Sequence, residues 1–272
     1  MDDDLASGFQ SVDRGSDFEF FSRCLTLIDS LPFFAACKRE SYDLLGARPG
    51  SRILDIGCGL GDDAAALAAR VAPGGSVSGV DGSRSMVDAA RERHRTVAGL
   101  TFDVADAARL PFDAATFDGC RIDRVLQHIA DPGAAIAEMV RVLRPGGVVV
   151  AFDNDWETLT VDSGERALTR RILNAWCDRF PSGWIGRHLV ALFLDAGLVE
   201  VAVHPKTLVL NDFDVADRVF SFVATAQRLA DEGVVGRDDV ARWCDELRAA
   251  DARGRFFTSY TGFLVSGVRD RS

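Results

Sequence analysis

The sequence lacks the features that mark metal-binding, disulfide-bonded and membrane proteins. Its six cysteines (positions 24, 37, 58, 120, 177 and 244) include no C-x-x-C pair and form no cluster with the four histidines. We therefore expect buried free thiols in a reducing compartment and predict no metal site. No apolar run is long enough to span a bilayer, and the opening MDDD is acidic where a signal peptide is basic. These absences favour a cytoplasmic protein with no membrane partner.

Positive charge is also scarce. The chain has 31 Lys and Arg against 41 Asp and Glu, a formal net charge of −10. A phosphate backbone needs a basic face, so nucleic acid is not expected as a partner. The sequence has no internal repeat and no low-complexity linker, and 272 residues can bury one sizeable core. One main domain with appended covers is the expected organisation, as a monomer or a homodimer.

The stretch RILDIGCGLGDD at residues 52–63 is the centre of the pattern. Its apolar start predicts a short buried parallel strand, and the alanine-rich residues 64–71 predict a helix. Gly57, Gly59 and Gly61 alternate between them. Glycine turns tightly at positive φ and allows a ligand close to the backbone, and a helix start offers unpaired N–H groups. The stretch predicts a ligand site against bare main chain.

The glycine spacing indicates which ligand. Dinucleotide folds use G-x-G-x-x-G for a pyrophosphate, whereas here the spacing is G-x-G-x-G and Asp55 ends the strand. A carboxylate repels a pyrophosphate and suits an ammonium or sulfonium group. The stretch resembles the first motif of class I S-adenosylmethionine-dependent methyltransferases. The resemblance implies S-adenosylmethionine as cofactor, with S-adenosylhomocysteine as product.

Asp81 ends the second predicted strand (76–80), 20 residues after Gly61. In β-α-β nucleotide folds an acid at this place accepts hydrogen bonds from both ribose hydroxyls. We therefore expect Asp81 and Gly82 beside the ribose; the alternative is an aspartate that only caps the helix at Gly82–Ser83. Met86, about one helical turn further along the chain, either packs against the adenine or is a core residue.

Three further segments resemble the same family. Residues 106–112, DAARLPF, match D-A-x-x-L-P-F, which implies that Asp106 accepts from the adenine amino group and that the Ala107 N–H meets a ring nitrogen. Residues 117–128 stand where similar proteins carry F-D-x-V-x-x-x-x-x-L-x-H, with Cys120 at the place of the valine. The resemblance implies that Ile122 passes the methionine moiety and that Gln127 or His128 faces the donor methyl. Residues 139–147 resemble its E-x-x-R-V-L-R-P-G-G turn.

These four segments occur in order across residues 50–152 and are most similar to the ubiquinone/menaquinone-type group of small-molecule methyltransferases. The resemblance implies an α/β fold: a Rossmann-like, seven-stranded, mostly parallel sheet with an antiparallel last strand and helices on both faces. We expect an N-terminal helical cover at residues 1–46. The methyltransferase domain, 47–272, would contain a helical insertion at about 211–252, before the last strand.

The predicted cover contains helices over residues 17–31 and 33–45. Phe9 and Phe21 would wall the active site and exclude water, or simply pack on the sheet. Lys38 or Arg39 would reach the cofactor's carboxylate, or lie on a solvated helix face.

Methyl transfer from a sulfonium needs alignment of the acceptor and exclusion of water, and an acceptor that must lose a proton needs a base. His128 is the first candidate because its usual pKa suits proton removal near neutrality; the alternative is a helix cap. Asp153 and Asp155 are the next candidates. They follow the predicted fifth strand (148–152), at the sheet edge where ligands bind, although loop polarity explains them equally well.

Trp156, Trp184 and Arg187 are candidate acceptor-binding residues, and the aromatic side chains favour a hydrophobic or aromatic acceptor, a secondary metabolite among them. Transfer could go to O, N or C. Two other functions stay open: a scaffold repurposed for a reaction such as cyclisation, which would form product without consuming cofactor, and a binding protein without turnover. The charged residues Arg121, Asp123 and Arg124 depart from the family pattern and could bind a polar substrate or pair with one another.

Overall fold

The computed structural model describes Asp13 and residues 31–271, which form a seven-stranded mixed sheet flanked by helices. The strands are β1 (Arg52–Ile56), β2 (Ser76–Asp81), β3 (Leu100–Val104), β4 (Phe117–Asp123), β5 (Leu143–Val161), β6 (Leu198–Leu210) and β7 (Thr258–Arg269). The helices are α1 (Pro32–Leu44), α2 (Asp62–Val71), α3 (Arg84–Arg93), α4 (Pro132–Val142), α5 (Arg166–Cys177), α6 (Ile185–Asp195), α7 (Phe213–Phe220), α8 (Phe222–Asp231) and α9 (Arg237–Asp251). A 3-10 turn spans Leu126–His128.

The strand order is β3-β2-β1-β4-β5-β7-β6. Neighbours from β3 to β5 are parallel, whereas β7 runs antiparallel to both β5 and β6. This topology confirms the predicted fold class. The order reverses between β1 and β4, so the connections after these two strands lead away from each other and leave a crevice at their carboxyl ends.

Apolar side chains cover both faces of the sheet because successive strand residues point to opposite sides. Ile53 packs with Leu67 of α2 in one buried cluster, and the next residue, Leu54, packs with Met139 of α4 in the other. Helices therefore shield both faces, as the near-continuous apolar strands require.

Strand β5 is much longer than predicted. The polar segment 153–157 was expected in a loop after the strand, but it lies within β5, where Asp153 pairs with Phe263 and Asp155 with Thr261 of β7. The antiparallel partner strand supplies the backbone hydrogen bonds that keep the chain extended. Asp153 and Asp155 are consequently buried, whereas Glu157 stays exposed.

The segment between β6 and β7 contains α7, α8 and α9. One helix was expected over residues 215–230, but it breaks at Ser221, whose φ of 51° is left-handed. The Asp217 side chain accepts a hydrogen bond from the Val223 N–H at 2.9 Å and so binds the start of α8. A hydrogen bond joins α9 to α5, where Trp243 Nε1 donates to Thr169 Oγ1 at 2.9 Å. Phe9, Phe21 and all but the last residue of the helix predicted over residues 17–31 lie outside the described residues.

Candidate active site

A cavity of about 890 Å³ lies at the carboxyl ends of β1, β2 and β4. One part of its wall consists of the glycine loop after β1, Asp81 after β2 and Asp106 after β3. The other part consists of aromatic side chains from β5, β7, α5 and the turn after α5. The cavity therefore joins a polar half, at the end of the parallel strands, to an aromatic half under the helical segment.

The glycine loop requires glycine for two reasons. Gly57 and Gly59 have φ values of 67° and 51°, which side chains of L-residues rarely adopt. A Cβ atom on Gly57 would also come within 2.2 Å of Val125 Cγ2. The N–H groups of Gly57 and Cys58 both donate to the Val80 carbonyl, at 2.7 and 3.0 Å, and fix the loop to β2. Bare main chain therefore faces the cavity.

Asp81 is both a loop anchor and part of the cavity wall. Its Oδ2 accepts from the Gly59 N–H and its Oδ1 from the Ser83 N–H, each at 2.9 Å. Burial raises the pKa of Asp81, although these two hydrogen bonds favour its charged form. Each carboxylate oxygen can accept a second hydrogen bond. The helix-capping interpretation and the ribose interpretation are therefore compatible at this residue.

The remaining adenosine-side candidates also line the cavity: Gly82, Met86, Asp106 and Ala107. Met86 is only 2% exposed, so it is part of the core as well as of the wall. Asp106 is exposed, and its Oδ1 accepts from the Ala108 N–H at 2.9 Å. This bond holds the turn after β3 in place and leaves the other carboxylate oxygen for a ligand.

Arg121 of β4 is 2% exposed and is surrounded by three carboxylates. Its guanidinium lies 2.9 Å from Asp55, 2.5 Å from Asp123 and 3.2 Å from Asp63. The Ser41 hydroxyl accepts a further hydrogen bond from Arg121 Nε at 2.9 Å. The charges of β4 that depart from the family pattern therefore pair within the protein, which was one of the two expectations for them.

The carboxylates of this cluster do not ionise alike. Burial raises the pKa of Asp55 to about 6, although Arg121 favours its charged form. Burial also opposes ionisation of Asp63, but Arg121 and the Lys38 ammonium at 3.1 Å outweigh it and hold the pKa of Asp63 well below its usual range. Asp55 is 1% exposed and does not line the cavity.

Gln127 links three side chains at the junction of the two halves. Its Oε1 accepts from Trp156 Nε1 at 2.9 Å and from Asn154 Nδ2 at 3.2 Å. Both partners can only donate, so the amide nitrogen of Gln127 must face His128, whose Nε2 lies 3.0 Å away. An amide N–H only donates, so His128 Nε2 accepts, and neutral His128 carries its proton on Nδ1.

The aromatic half of the cavity is centred on Trp156. Its ring centroid lies 4.6 Å from that of Trp176, 4.6 Å from that of Tyr260 and 5.5 Å from that of Phe180. Sequence reasoning missed Trp176, Phe180 and Tyr260. They come from α5, the turn after it and β7, and no local motif marks them. The only sequence signal for these residues is the high content of aromatic residues in the second half of the chain.

Several candidate residues lie away from the cavity, among the described residues. Arg39 is exposed, whereas its neighbour Lys38 lines the wall. Gly61 starts α2 and packs against Phe102, and Ile122 is buried in the opposite apolar cluster. The placements of Arg39, Gly61 and Ile122 do not support direct cofactor contacts from their side chains.

Most of the acidic and acceptor-side candidates lie outside the cavity wall as well. Asp153 and Asp155 are 0% and 2% exposed and do not line the cavity. Asp155 is paired with Arg187, whose guanidinium also contacts Glu157 at 2.7 Å. Trp184 is 38% exposed and, like Arg187, lies outside the cavity wall. Among the proposed acceptor-binding residues that the structure describes, Trp156 alone lines the cavity.

Comparison with known proteins places the chain in a family. Residues 54–151 match the family model described as a methyltransferase domain. The chain is 38% identical over 185 residues to the demethylmenaquinone methyltransferase of Staphylococcus aureus, covering 62% of this chain and 76% of that enzyme. An uncharacterized 37.1 kDa protein in transposon TN4556 of Streptomyces fradiae is 40% identical over 229 residues. That match covers 84% of this chain and 65% of the Streptomyces protein.

The fold has solved counterparts. Phosphoethanolamine N-methyltransferase 2 of Haemonchus contortus, in complex with S-adenosyl-L-methionine, aligns with a TM-score of 0.62 at 19% identity, over 98% of this chain and 60% of that one. This chain belongs to the class I S-adenosylmethionine-dependent methyltransferases, in the menaquinone-type group. The predicted family is thereby confirmed, and membership implies S-adenosylmethionine as the cofactor. Among the described residues no helix is long and apolar enough to cross a membrane.

Proposed function

We propose that this protein transfers the methyl group of S-adenosylmethionine to a small, hydrophobic or aromatic acceptor, such as a secondary metabolite, with S-adenosylhomocysteine as product. The observation that carries the proposal is the single cavity that joins Asp81 and the glycine loop to the aromatic half around Trp156. A methyl donor held in the first half would point toward an acceptor held in the second. The identity of the acceptor and the reaction of the whole protein both belong to this proposal.

The polar half fits the cofactor. The main chain at Gly57 and Gly59, which lines the cavity, would accept the amino-acid moiety at close range. Asp81 would accept from the ribose hydroxyls, and Asp106, Ala107 and Met86 would surround the adenine. The Lys38 ammonium on the same wall would suit the carboxylate of the cofactor.

The bound cofactor supplies an already activated methyl group. The chain's own residues would align the acceptor and exclude water, which can supply much of the acceleration. Trp156 and Phe180 would fix the plane of an aromatic acceptor by stacking. Gln127, held by Trp156, would keep His128 with its proton on Nδ1. His128 would take up a proton at Nε2 only after it releases the contact with Gln127.

Isothermal titration with S-adenosylmethionine tests the cofactor half. We expect wild type to bind and Asp81→Ala to lose about 1.5–3 kcal/mol per charge-assisted hydrogen bond to the ribose, an affinity about 10- to 150-fold weaker. Asp103→Ala is the matched control, since Asp103 is an exposed carboxylate near the end of β3 that does not line the cavity. It should bind as tightly as wild type.

Turnover is measured as S-adenosylhomocysteine released in a screen of acceptors. Release that depends on the acceptor and on Asp81 supports a methyltransferase. An acceptor converted without S-adenosylhomocysteine release would contradict it in favour of a repurposed scaffold. Failure of wild type to bind either S-adenosylmethionine or S-adenosylhomocysteine would overturn the cofactor assignment itself.

A further inference from the structure

Three buried polar atoms in the aromatic half lack a hydrogen-bond partner within the described structure. They are Trp176 Nε1, Tyr260 Oη and Asn154 Oδ1, on side chains that are at most 2% exposed. All three residues line the cavity. An unpaired buried polar group costs about 1–3 kcal/mol, so such groups are rare in folded proteins. Three of them around one cavity indicate a site that a ligand completes.

The other buried tryptophans of this fold show that Trp176 is an exception. Trp156 Nε1 donates to Gln127 Oε1 and Trp243 Nε1 to Thr169 Oγ1, both at 2.9 Å. Trp243 is 0% exposed and does not line the cavity. The fold therefore provides an internal acceptor for a buried indole both on the cavity wall, at Trp156, and away from it, at Trp243. At Trp176, on the cavity wall, it provides none.

The donor and acceptor types of the three atoms restrict the ligand. An indole N–H only donates, so the ligand must present an acceptor such as a carbonyl oxygen at Trp176. The Asn154 Nδ2 is already bonded to Gln127, so Asn154 Oδ1 requires a hydroxyl or N–H on the ligand. The Tyr260 hydroxyl can serve either way, and burial raises its pKa so that it keeps its proton.

The charge of the surroundings restricts the ligand further. Arg124, a cation of the cavity wall, lies over the Phe34 ring at 4.8 Å and is paired with Asp123 at 2.7 Å. A phosphorylated acceptor would therefore enter without a free counter-charge. A cationic amine would meet an aromatic surface but would place its charge against the positive end of the Trp176 N–H. A neutral molecule fits best.

We propose that Trp176, Asn154 and Tyr260 form the acceptor-binding subsite, and that the acceptor is a neutral planar ring compound carrying a carbonyl oxygen and a separate hydroxyl or N–H. The inference rests on the proposed methyltransferase function and deepens it. The rings of Trp156 and Phe180 would stack on the planar body. The three polar atoms would set its orientation relative to the donor methyl.

The first test measures binding to protein loaded with S-adenosylhomocysteine near neutral pH. The probes are methyl para-hydroxybenzoate, methyl benzoate, which lacks the donor, and tyramine, which replaces the carbonyl group by a cation. We expect the hydroxybenzoate to bind about tenfold more tightly than either of the others, as expected for one hydrogen bond. Trp176→Phe should weaken the hydroxybenzoate about tenfold, and Trp243→Phe should leave it unchanged.

The second test needs no ligand. Both substitutions remove the same atoms from a buried indole, but only Trp243→Phe loses an internal hydrogen bond. The Tm of Trp243→Phe should therefore fall about 2–4 °C further than that of Trp176→Phe. An equal or larger fall in Trp176→Phe would mean that its N–H is bonded within the protein, and would overturn the subsite.

The outcomes separate the two proposals. If wild type binds S-adenosylhomocysteine but prefers tyramine, or does not bind the hydroxybenzoate at all, the subsite is wrong and the cofactor assignment stands. If wild type does not bind S-adenosylhomocysteine, the proposed function fails first, and the subsite with it. Retention of full hydroxybenzoate affinity in Trp176→Phe would also overturn the subsite.

Discussion

The indole N–H of Trp156 donates to Gln127 Oε1 at 2.9 Å, and this bond determines which end of the Gln127 amide faces His128. A residue of β5 thereby sets the tautomer of a histidine in the turn after β4. Sequence reasoning proposed His128 as a general base with a lone pair ready to accept a proton. In the structure the Gln127 amide donates a hydrogen bond to His128 Nε2. This nitrogen can accept a proton from a substrate only after the hydrogen bond to Gln127 is broken.

Nitrogen NMR of the histidine rings tests this tautomer. In wild type we expect His128 Nε2 to be unprotonated, because it accepts from Gln127 Nε2. Gln127→Glu replaces the amide by a carboxylate that can only accept, and should produce an N–H at Nε2. The chain has four histidines, so a His128→Asn spectrum assigns the signal. An Nε2-protonated ring in wild type would contradict the interpretation.

Asp153 predicts a pH dependence of stability. It is 0% exposed, and burial raises its pKa from 3.8 to about 7 against hydrogen bonds from the Asn154 and Gln127 N–H groups. The native state therefore holds this proton more tightly than the unfolded state, and the stabilisation is full below about pH 4 and lost as the pH rises toward 7. The rise in the pKa of Asp153 from 3.8 to about 7 corresponds to at most roughly 4 kcal/mol in the free energy of unfolding.

Asp153→Asn removes this titration. Relative to wild type, its free energy of unfolding should rise between about pH 4 and 7 by up to roughly 4 kcal/mol, as measured by urea denaturation across that range. Asp195→Asn, at an exposed aspartate at the end of α6, is the control and should show no such trend. A constant difference between Asp153→Asn and wild type would refute the raised pKa.

Gly57→Ala should destabilise the protein and weaken cofactor binding. The new Cβ would meet Val125 Cγ2 at 2.2 Å and would also make the existing positive φ of this position unfavourable. The φ alone costs about 1–2 kcal/mol, and the overpacking adds about 1–3 kcal/mol. Gly233→Ala is the matched control, because Gly233 has a φ of 72° but no atom within 4 Å of its Cβ. Urea denaturation and titration with S-adenosylmethionine measure both effects.

The double variant Gly57→Ala, Val125→Ala isolates the clash. It should recover the part of the loss that is due to overpacking and keep the part that is due to φ. Equal destabilisation by Gly57→Ala and Gly233→Ala would show that the loop shifts at no cost.

Arg121→Met should cost about 3–5 kcal/mol of stability at neutral pH, because it leaves buried carboxylates without their cation. The loss should shrink as the pH falls, since those carboxylates can then take up protons. Arg144→Met removes a pair with Asp118 in which both side chains are more than a third exposed, and should cost at most about 1 kcal/mol. Similar losses in the two variants, measured by urea denaturation, would contradict the buried cluster.

The family, the fold class and most strands were predictable because they depend on local patterns. The bounds of β3, residues 100–104, agree with the prediction, and α9, Arg237–Asp251, begins as predicted and extends one residue further. Alternating glycines after an apolar strand have few other uses, and a buried parallel strand must be apolar throughout. The break at Ser221 was not predictable, because no glycine or proline marks it and the bond from Val223 to Asp217 holds it.

Strand periodicity, turn chemistry and motif spacing act within about 20 residues along the chain, so the sheet, the glycine loop and the family follow from local patterns. Which side chains meet depends instead on how distant segments pack. Asp155 pairs with Arg187, Arg121 lies among three carboxylates, and Trp176 and Tyr260 both pack against Trp156. Such contacts depend on the pairing of β5 with β7 and on the packing of α5 above them, and residues far apart in sequence carry no local record of that geometry.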